Sequence, residues 1–200
     1  MSLRHFIASR KLFKPLNLLK ETAILGWNEV ANLFDLNKDV FYNPKHKKIE
    51  RPVTAILIGA GHRGSIYASY GNLYPNELKI VAVADISIER RNKISKLHNI
   101  VEENIFEDWQ EVFAKSKFAD AIIIATPDQL HTAPCLAALE AGYDVLLEKP
   151  IAISEADCRL ILQKAQATNR IVGVCHVLRY SPYFKELKAV IDAGLIGDII

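Results

Sequence analysis

Twelve residues, Val53 to Gly64, limit the folds open to this chain more than any other stretch. They read Val-Thr-Ala-Ile-Leu-Ile-Gly-Ala-Gly-His-Arg-Gly. An apolar, β-branched run stops at Gly59, three glycines follow as G-x-G-x-x-G, and a helical pattern begins at Arg63 or Gly64. A strand that turns directly into a helix leaves unpaired N–H groups at the helix start, and with the helix dipole they form an anion site. Gly59 suits the tight turn, Gly61 lets a phosphate approach the backbone, and Gly64 lets helix and strand pack closely. Taken alone, the same glycines also describe a flexible turn between a strand and a helix.

The next strand decides between these readings. Lys79-Ile-Val-Ala-Val-Ala-Asp85 ends in an acid 21 residues after Gly64. That is where a Rossmann unit sets the carboxylate that accepts from ribose hydroxyls. The pattern therefore predicts a dinucleotide site. A carboxylate at Asp85 accepts from a 2′-hydroxyl and repels a 2′-phosphate, which favours NAD. Arg90 and Arg91 follow closely and soften that preference, so NADP stays open.

Beyond Asp85 strands and helices alternate. Ser87 caps a helix through about His98, Phe106 falls in a short strand, and Asp108 caps a helix from Trp109. Ala119-Asp-Ala-Ile-Ile-Ile-Ala-Thr126 has the nearly continuous apolar core of a parallel strand covered on both faces. Thr126-Pro127-Asp128 breaks it, and a helix runs from His131 to Ala141. Val145 to Lys149 is another buried strand, stopped by Pro150. Ser154 and Asp157 form a capping-box-like pair ahead of a helix to Thr168. Ile171 to Cys175 is the last clear strand, and Ser181-Pro182 opens a helix that ends near Gly194. This order predicts an α/β fold: a Rossmann-type, doubly wound parallel sheet with helices on both faces.

Residues 1–50 read differently. They carry nine Lys/Arg and five Asp/Glu, whereas residues 51–200 carry sixteen and eighteen. Met1 to Lys20 is basic and lacks acids, as targeting peptides do, but has only Ser2 and Ser9 as hydroxyl residues. Leu16, Leu19, Ala23, Trp27, Val30, Ala31 and Phe34 recur at helical spacing instead, which predicts a helical arm. Its apolar face needs either this chain's own fold or another subunit, and a homo-oligomer is expected. The proline-bounded segment Asn43 to Pro52 reads as a linker. The expected divisions are 1–50, an arm and linker; 51–176, the dinucleotide-binding domain; and 177–200, the start of a second α/β domain.

The totals exclude several classes. Half the residues are hydrophobic and the net charge is only +2, so neither nucleic acid nor a membrane is an expected partner. No apolar run approaches the ~18 residues of a membrane span. Cys135, Cys158 and Cys175 have neither disulfide nor zinc spacing, so no metal is expected. All three read as buried thiols, which suits the cytoplasm.

In an open parallel sheet ligands gather beyond the carboxyl ends of the strands. The polar residues there are Gly59 to Gly64, Asp85, Thr126 to Asp128, Glu148-Lys149-Pro150 and His176 to Tyr180. Ala125-Thr-Pro-Asp-Gln-Leu-His131, then Glu148-Lys-Pro150, then His176-Val-Leu-Arg-Tyr-Ser-Pro182, behind G-x-G-x-x-G, resembles the Gfo/Idh/MocA family. The likeness covers about residues 53–200. It implies an NAD(P)-dependent oxidoreductase acting on a sugar or polyol, with a Rossmann domain followed by an α/β domain that covers the substrate. It also implies that Lys149 lies near the nicotinamide and substrate, that the peptide before Pro150 is often cis, and that Thr126 and Pro127 line the nicotinamide ribose. Asp128 stands where many relatives have Asn, which adds negative charge there.

Physical reasoning about Lys149 agrees. Hydride transfer from an alcohol requires loss of the hydroxyl proton, and a lysine stabilises the alkoxide or relays the proton. Glu148 orders the lysine or the ribose, or is simply a charged strand end. His131 contacts cofactor or substrate, or is an ordinary first-turn residue. His62 and Arg63 fill the variable positions of the glycine turn, and Arg63 pairs with a phosphate or stays solvated. His176 and Arg179 reach towards substrate, or Arg179 bridges domains. Two other functions share the pattern: a glycosidase that holds NAD and oxidises transiently, compatible with Gly-x-Gly-x-Arg-Gly, and a non-catalytic dinucleotide-binding module.

The family's second domain usually supplies a downstream aspartate and histidine, and the sequence stops at Ile200, where that domain is expected to begin. The 200-residue chain is expected to hold a dinucleotide but to turn over sugar poorly or not at all. A robust sugar-dependent rise in NADH absorbance from this chain would refute that.

Overall fold

The computed structural model describes residues 51–198; the expected helical arm lies outside them. Among these described residues six strands alternate with six helices. They are β1 (Val53–Ile58), α1 (His62–Leu73), β2 (Leu78–Ala84), α2 (Ile88–His98), β3 (Ile105–Phe106) and α3 (Trp109–Phe113). Then follow β4 (Ala121–Ile124), α4 (Thr132–Glu140), β5 (Asp144–Leu147), α5 (Glu155–Ala167), β6 (Val172–Val174) and α6 (Pro182–Asp192).

The strands form one sheet in the order β3-β2-β1-β4-β5-β6, and every pairing is parallel. Alternate strand residues face opposite sides. Ala55, Leu57, Ile123 and Leu146 pack with Tyr67, Ala68 and Tyr70 of α1 and Ile94 of α2. Ile56, Ile58, Ile122, Ile124, Val145 and Leu147 pack with Val112 of α3, Cys135, Ala138 and Leu139 of α4 and Ile161 of α5. Two helical layers thus seal the sheet, which explains why the central strands are almost wholly apolar, with Thr54 in β1 and Asp144 in β5 as the polar exceptions.

Register brings the carboxyl ends into one row. Ile58 lies beside Ala84 and Ile124, Ala84 beside Phe106, and Leu147 beside Ile124 and Val174. The ladder extends one residue further, with Gly59 N donating to Ala84 O at 2.8 Å, Ala125 N to Ile58 O at 2.8 Å and Glu148 N to Ile124 O at 3.0 Å. Every loop expected to carry chemistry therefore leaves the sheet at the same level.

The expected caps form. Ser87 accepts from Arg90 N, and Asp108 and Glu111 make a reciprocal capping box on α3. Ser154 accepts from Asp157 N, but its hydroxyl donates to the Asp157 carboxylate rather than completing a box with the main chain. Cys135 and Cys175 are buried, whereas Cys158, on α5, is only partly buried against the core. Burial pushes the Cys135 thiol up to about 12 and Cys175 up to about 11, so both stay protonated. Among the described residues no helix is long and apolar enough to cross a membrane.

The opposite end of the sheet, at the amino ends of β1 and β4, carries a polar latch. Asp120, just before β4, accepts from Arg51 Nη1 and Nη2 at 2.7 Å each, and from Thr54 N and Oγ1 at 2.9 and 2.8 Å. These bonds, led by Arg51, hold the Asp120 carboxyl well below its ordinary value of 3.8. A carboxyl depressed on folding stabilises the fold above its unfolded pKa, and that contribution is lost as pH falls towards the folded value. Asp120→Asn is expected to cost about 1–2 kcal/mol at pH 7, since charge-assisted bonds are replaced by weaker ones. Thermal melts between pH 7 and pH 3 check this: the difference between Asp120→Asn and wild type should shrink below pH 4.

Candidate dinucleotide site

The glycine turn departs from β1 at Gly59, whose φ of +88° is a left-handed conformation that favours glycine. A Cβ there would lie 2.7 Å from the carbonyl of Ala125. A Cβ on Gly64 would lie 1.9 Å from Gly59 O, so only a glycine lets α1 start this close to β1. Gly61 caps α1 in an extended conformation with no side-chain hydrogen bond, and the first helical bond runs from Ser65 N to Gly61 O at 2.9 Å. The cradle is therefore built from main-chain N–H groups at a helix N-terminus, and it fits a pyrophosphate.

Asp85 follows β2 and takes part in the turn itself. Its side chain is only 6% exposed. Oδ2 accepts from Ala60 N at 2.7 Å and Oδ1 from Ser87 N at 2.8 Å. The acid read as a ribose acceptor thus also ties the glycine loop to the end of β2. Arg90 Nη1 stands 4.0 Å from Asp85 Oδ2 and is exposed. Arg91 turns away, donating to Asp85 O at 2.7 Å and pairing with Glu107 at 3.7 Å.

Arg63, read as either a phosphate partner or a solvated arginine, has a carboxylate and a phenol as its partners within the chain. Its Nε donates to Glu148 Oε1 at 2.6 Å and its Nη2 to the Tyr67 hydroxyl at 2.7 Å. Tyr67 in turn donates to Glu148 Oε1 at 2.5 Å, and Glu148 Oε2 accepts from Lys149 N at 2.7 Å. Burial pushes the Glu148 carboxyl up, but the bonds from Tyr67, Arg63 and the Lys149 amide outweigh it and hold the group below the usual carboxylate range. Burial raises Tyr67, with Cys175 and Glu148 adding to it, so it remains a phenol that donates. Tyr67 was missed from the sequence. Its one signal was the i, i+4 spacing from Arg63, which puts both on the same helical face.

His131 is fully buried, so its expected contact with cofactor or substrate is replaced by a structural one. Nδ1 meets Pro150 O at 2.7 Å and Nε2 meets Thr126 O at 3.0 Å. Sequence offered no sign that these two carbonyls would flank the ring. Thr126 is half-buried, with its hydroxyl donating to Leu130 O at 3.2 Å, and Pro127 and Asp128 are exposed. Lys149 is exposed at the end of β5, and the Lys149–Pro150 peptide is cis. His62 is exposed on the first turn of α1; His176 and Arg179 are exposed beyond β6, in and before a short 3₁₀ turn, Val177–Tyr180. Among the described residues no three His, Cys, Asp or Glu side chains gather as a metal site.

Residues 53–176 match the model of the GFO_IDH_MocA oxidoreductase family with an NAD-binding Rossmann fold. The chain belongs to this family. Inositol 2-dehydrogenase 4 of Saccharopolyspora erythraea is 33% identical over 142 residues, which is 70% of this chain and 41% of that protein. Inositol 2-dehydrogenase 1 of the same organism is 40% identical over 80 residues, 40% of this chain and 24% of that one. The scyllo-inositol dehydrogenase structure from Lactobacillus casei, solved with NAD(H) and scyllo-inositol, superposes with a TM-score of 0.65. It is 24% identical and covers 74% of this chain and 43% of that one. The chain spans about two-fifths or less of the curated relatives it matches. Like the rest of the family, it carries an NAD-binding Rossmann domain.

Two glycine substitutions separate folding from binding. Gly64→Ala drives a methyl into Gly59 O and is expected to cost about 3 kcal/mol or more. Gly61→Ala meets only Arg90 Nη1 at 3.8 Å, an ordinary contact. It should keep nearly the wild-type melting temperature while weakening NAD about tenfold by crowding the amide cradle. Differential scanning calorimetry and titration of both variants check this.

Proposed function

We propose that this chain is the cofactor-binding part of an oxidoreductase that moves a hydride between NAD and a hydroxyl or carbonyl carbon of a polyol or sugar. The observation that carries the reading is the single row at the carboxyl ends of β1, β2, β4 and β5. It aligns the Gly59–Gly64 turn, Asp85, Thr126 and Pro127, and Lys149. The names of the inositol dehydrogenase relatives support a cyclic polyol as substrate. Bound in this row, the nicotinamide supplies the hydride acceptor or donor.

The chain's own groups divide the remaining work. Main-chain amides at Gly61 to Gly64, flanked by His62, hold the pyrophosphate. Asp85 accepts from the adenosine ribose with the lone pairs left after Ala60 N and Ser87 N are served. Thr126 and Pro127 line the nicotinamide ribose. Lys149 stabilises the alkoxide left as the hydroxyl proton departs, or relays that proton, and the carbonyl forms as hydride leaves the same carbon. His176 and Arg179 meet the substrate from the β6 side. Residues from 177 onward begin a substrate domain, residues 1–50 form a helical extension and linker, and the protein works as a homo-oligomer. Free cysteines, two of them buried, support a reducing, cytoplasmic setting.

Titration calorimetry with NAD and NADP against wild type and Asp85→Ala tests the reading. NAD should bind more tightly than NADP and lose about tenfold from the substitution, with NADP losing less. Absence of affinity for either coenzyme overturns it. Release of nitrophenol from nitrophenyl glycosides without added coenzyme would replace it with glycoside cleavage.

A further inference from the structure

We propose that Arg63 and Tyr67 are positioning residues for Lys149, acting through Glu148. The inference rests on the assignment of Lys149 to the reacting end of the cofactor. It begins with a buried charge. Glu148 is 5% exposed, and a carboxylate so placed persists only when donors surround it. Three do: the Arg63 guanidinium, the Tyr67 hydroxyl and the Lys149 main-chain amide.

Those donors come from two functional parts of the site. Arg63 and Tyr67 lie on α1, the helix whose N-terminus is the amide cradle. The third donor is the main chain of Lys149 itself. Glu148 is held by its own N–H on Ile124 O at 3.0 Å, so its side chain folds back onto Lys149 N from a fixed origin. On the far side Pro150 O meets His131 Nδ1 at 2.7 Å. The Lys149–Pro150 pair is thus gripped before and after, and only the lysine stem is left to turn. Arg63 also lies over the Tyr67 ring, 5.1 Å from its centroid, which orders the two donors against each other. Cradle and Lys149 main chain behave as one hydrogen-bonded unit, so Arg63, Tyr67 and Glu148 fix the point from which the lysine stem reaches the pyrophosphate end of the crevice.

Loss of either donor should leave the cradle able to bind NAD but let Lys149 wander. The test is a brief acetic anhydride pulse on the full chain, without NAD and with NAD at saturation for each variant. Acetylation of Lys149 is read by mass spectrometry, and NAD affinity by calorimetry. Wild-type Lys149 should be shielded by NAD. Tyr67→Phe and Arg63→Ala should bind NAD yet lose about fivefold of that shielding, as loss of one ordinary hydrogen bond gives. Asp120→Asn, weakened at the opposite end of the sheet, should keep full shielding, which separates positioning from stability. If Arg63→Ala does not fold, Tyr67→Phe decides, since it removes a single oxygen. Undiminished shielding in the folded variants overturns the proposal and leaves the role of Lys149 standing. An equal loss in Asp120→Asn also overturns it. No shielding of wild-type Lys149 at saturating NAD removes both the proposal and the assignment beneath it.

Discussion

Everything at the top of this sheet depends on how closely α1 approaches β1. The backbone of Gly64 lies so near Gly59 O that no side chain fits between them. That approach brings the first turn of α1 over the strand ends with its amide groups aimed into the crevice. It also carries Arg63 and Tyr67 to Glu148, 85 and 81 residues away in sequence. A helix set further out would lose both the anion cradle and the partners of a buried carboxylate.

Two carboxylates then organise the crevice in opposite ways. Asp85 uses both oxygens on main-chain N–H groups and so braces the glycine loop from the β2 side. Glu148 uses one oxygen on side chains of α1 and the other on the amide of Lys149. Each side chain is nearly inaccessible, and each is held by donors from α1 or from the loops at the carboxyl ends of the strands. Burial alone would raise the Glu148 carboxyl. Directed hydrogen bonds reverse that at Glu148 and make the charge a structural tie.

Much of the fold was legible because its signals are local. Apolar runs bounded by Gly59, Asp85, Thr126-Pro127 and Pro150 marked four strands, and Ser87, Asp108 and Ser154 marked three helix starts. Partners stayed hidden where a local signal had two uses. Arg63 in a glycine turn suits a phosphate as well as a carboxylate, and a His at a first turn suits a ligand as well as a core. Asp120 interrupts an apolar run, but nothing adjacent names Arg51 and Thr54 as its partners.

Sequence by itself determined the order of strands and helices, the glycine turn and the acid closing β2, because backbone propensity and periodicity act over a few residues. Tertiary structure alone decided that Arg63 faces Glu148, that Tyr67 joins them, and that His131 lies sealed between Thr126 and Pro150. Those partners meet only after parallel strands are laid in register and helices are packed on them. Side-chain pairing across such distances follows from packing geometry, which no local pattern encodes.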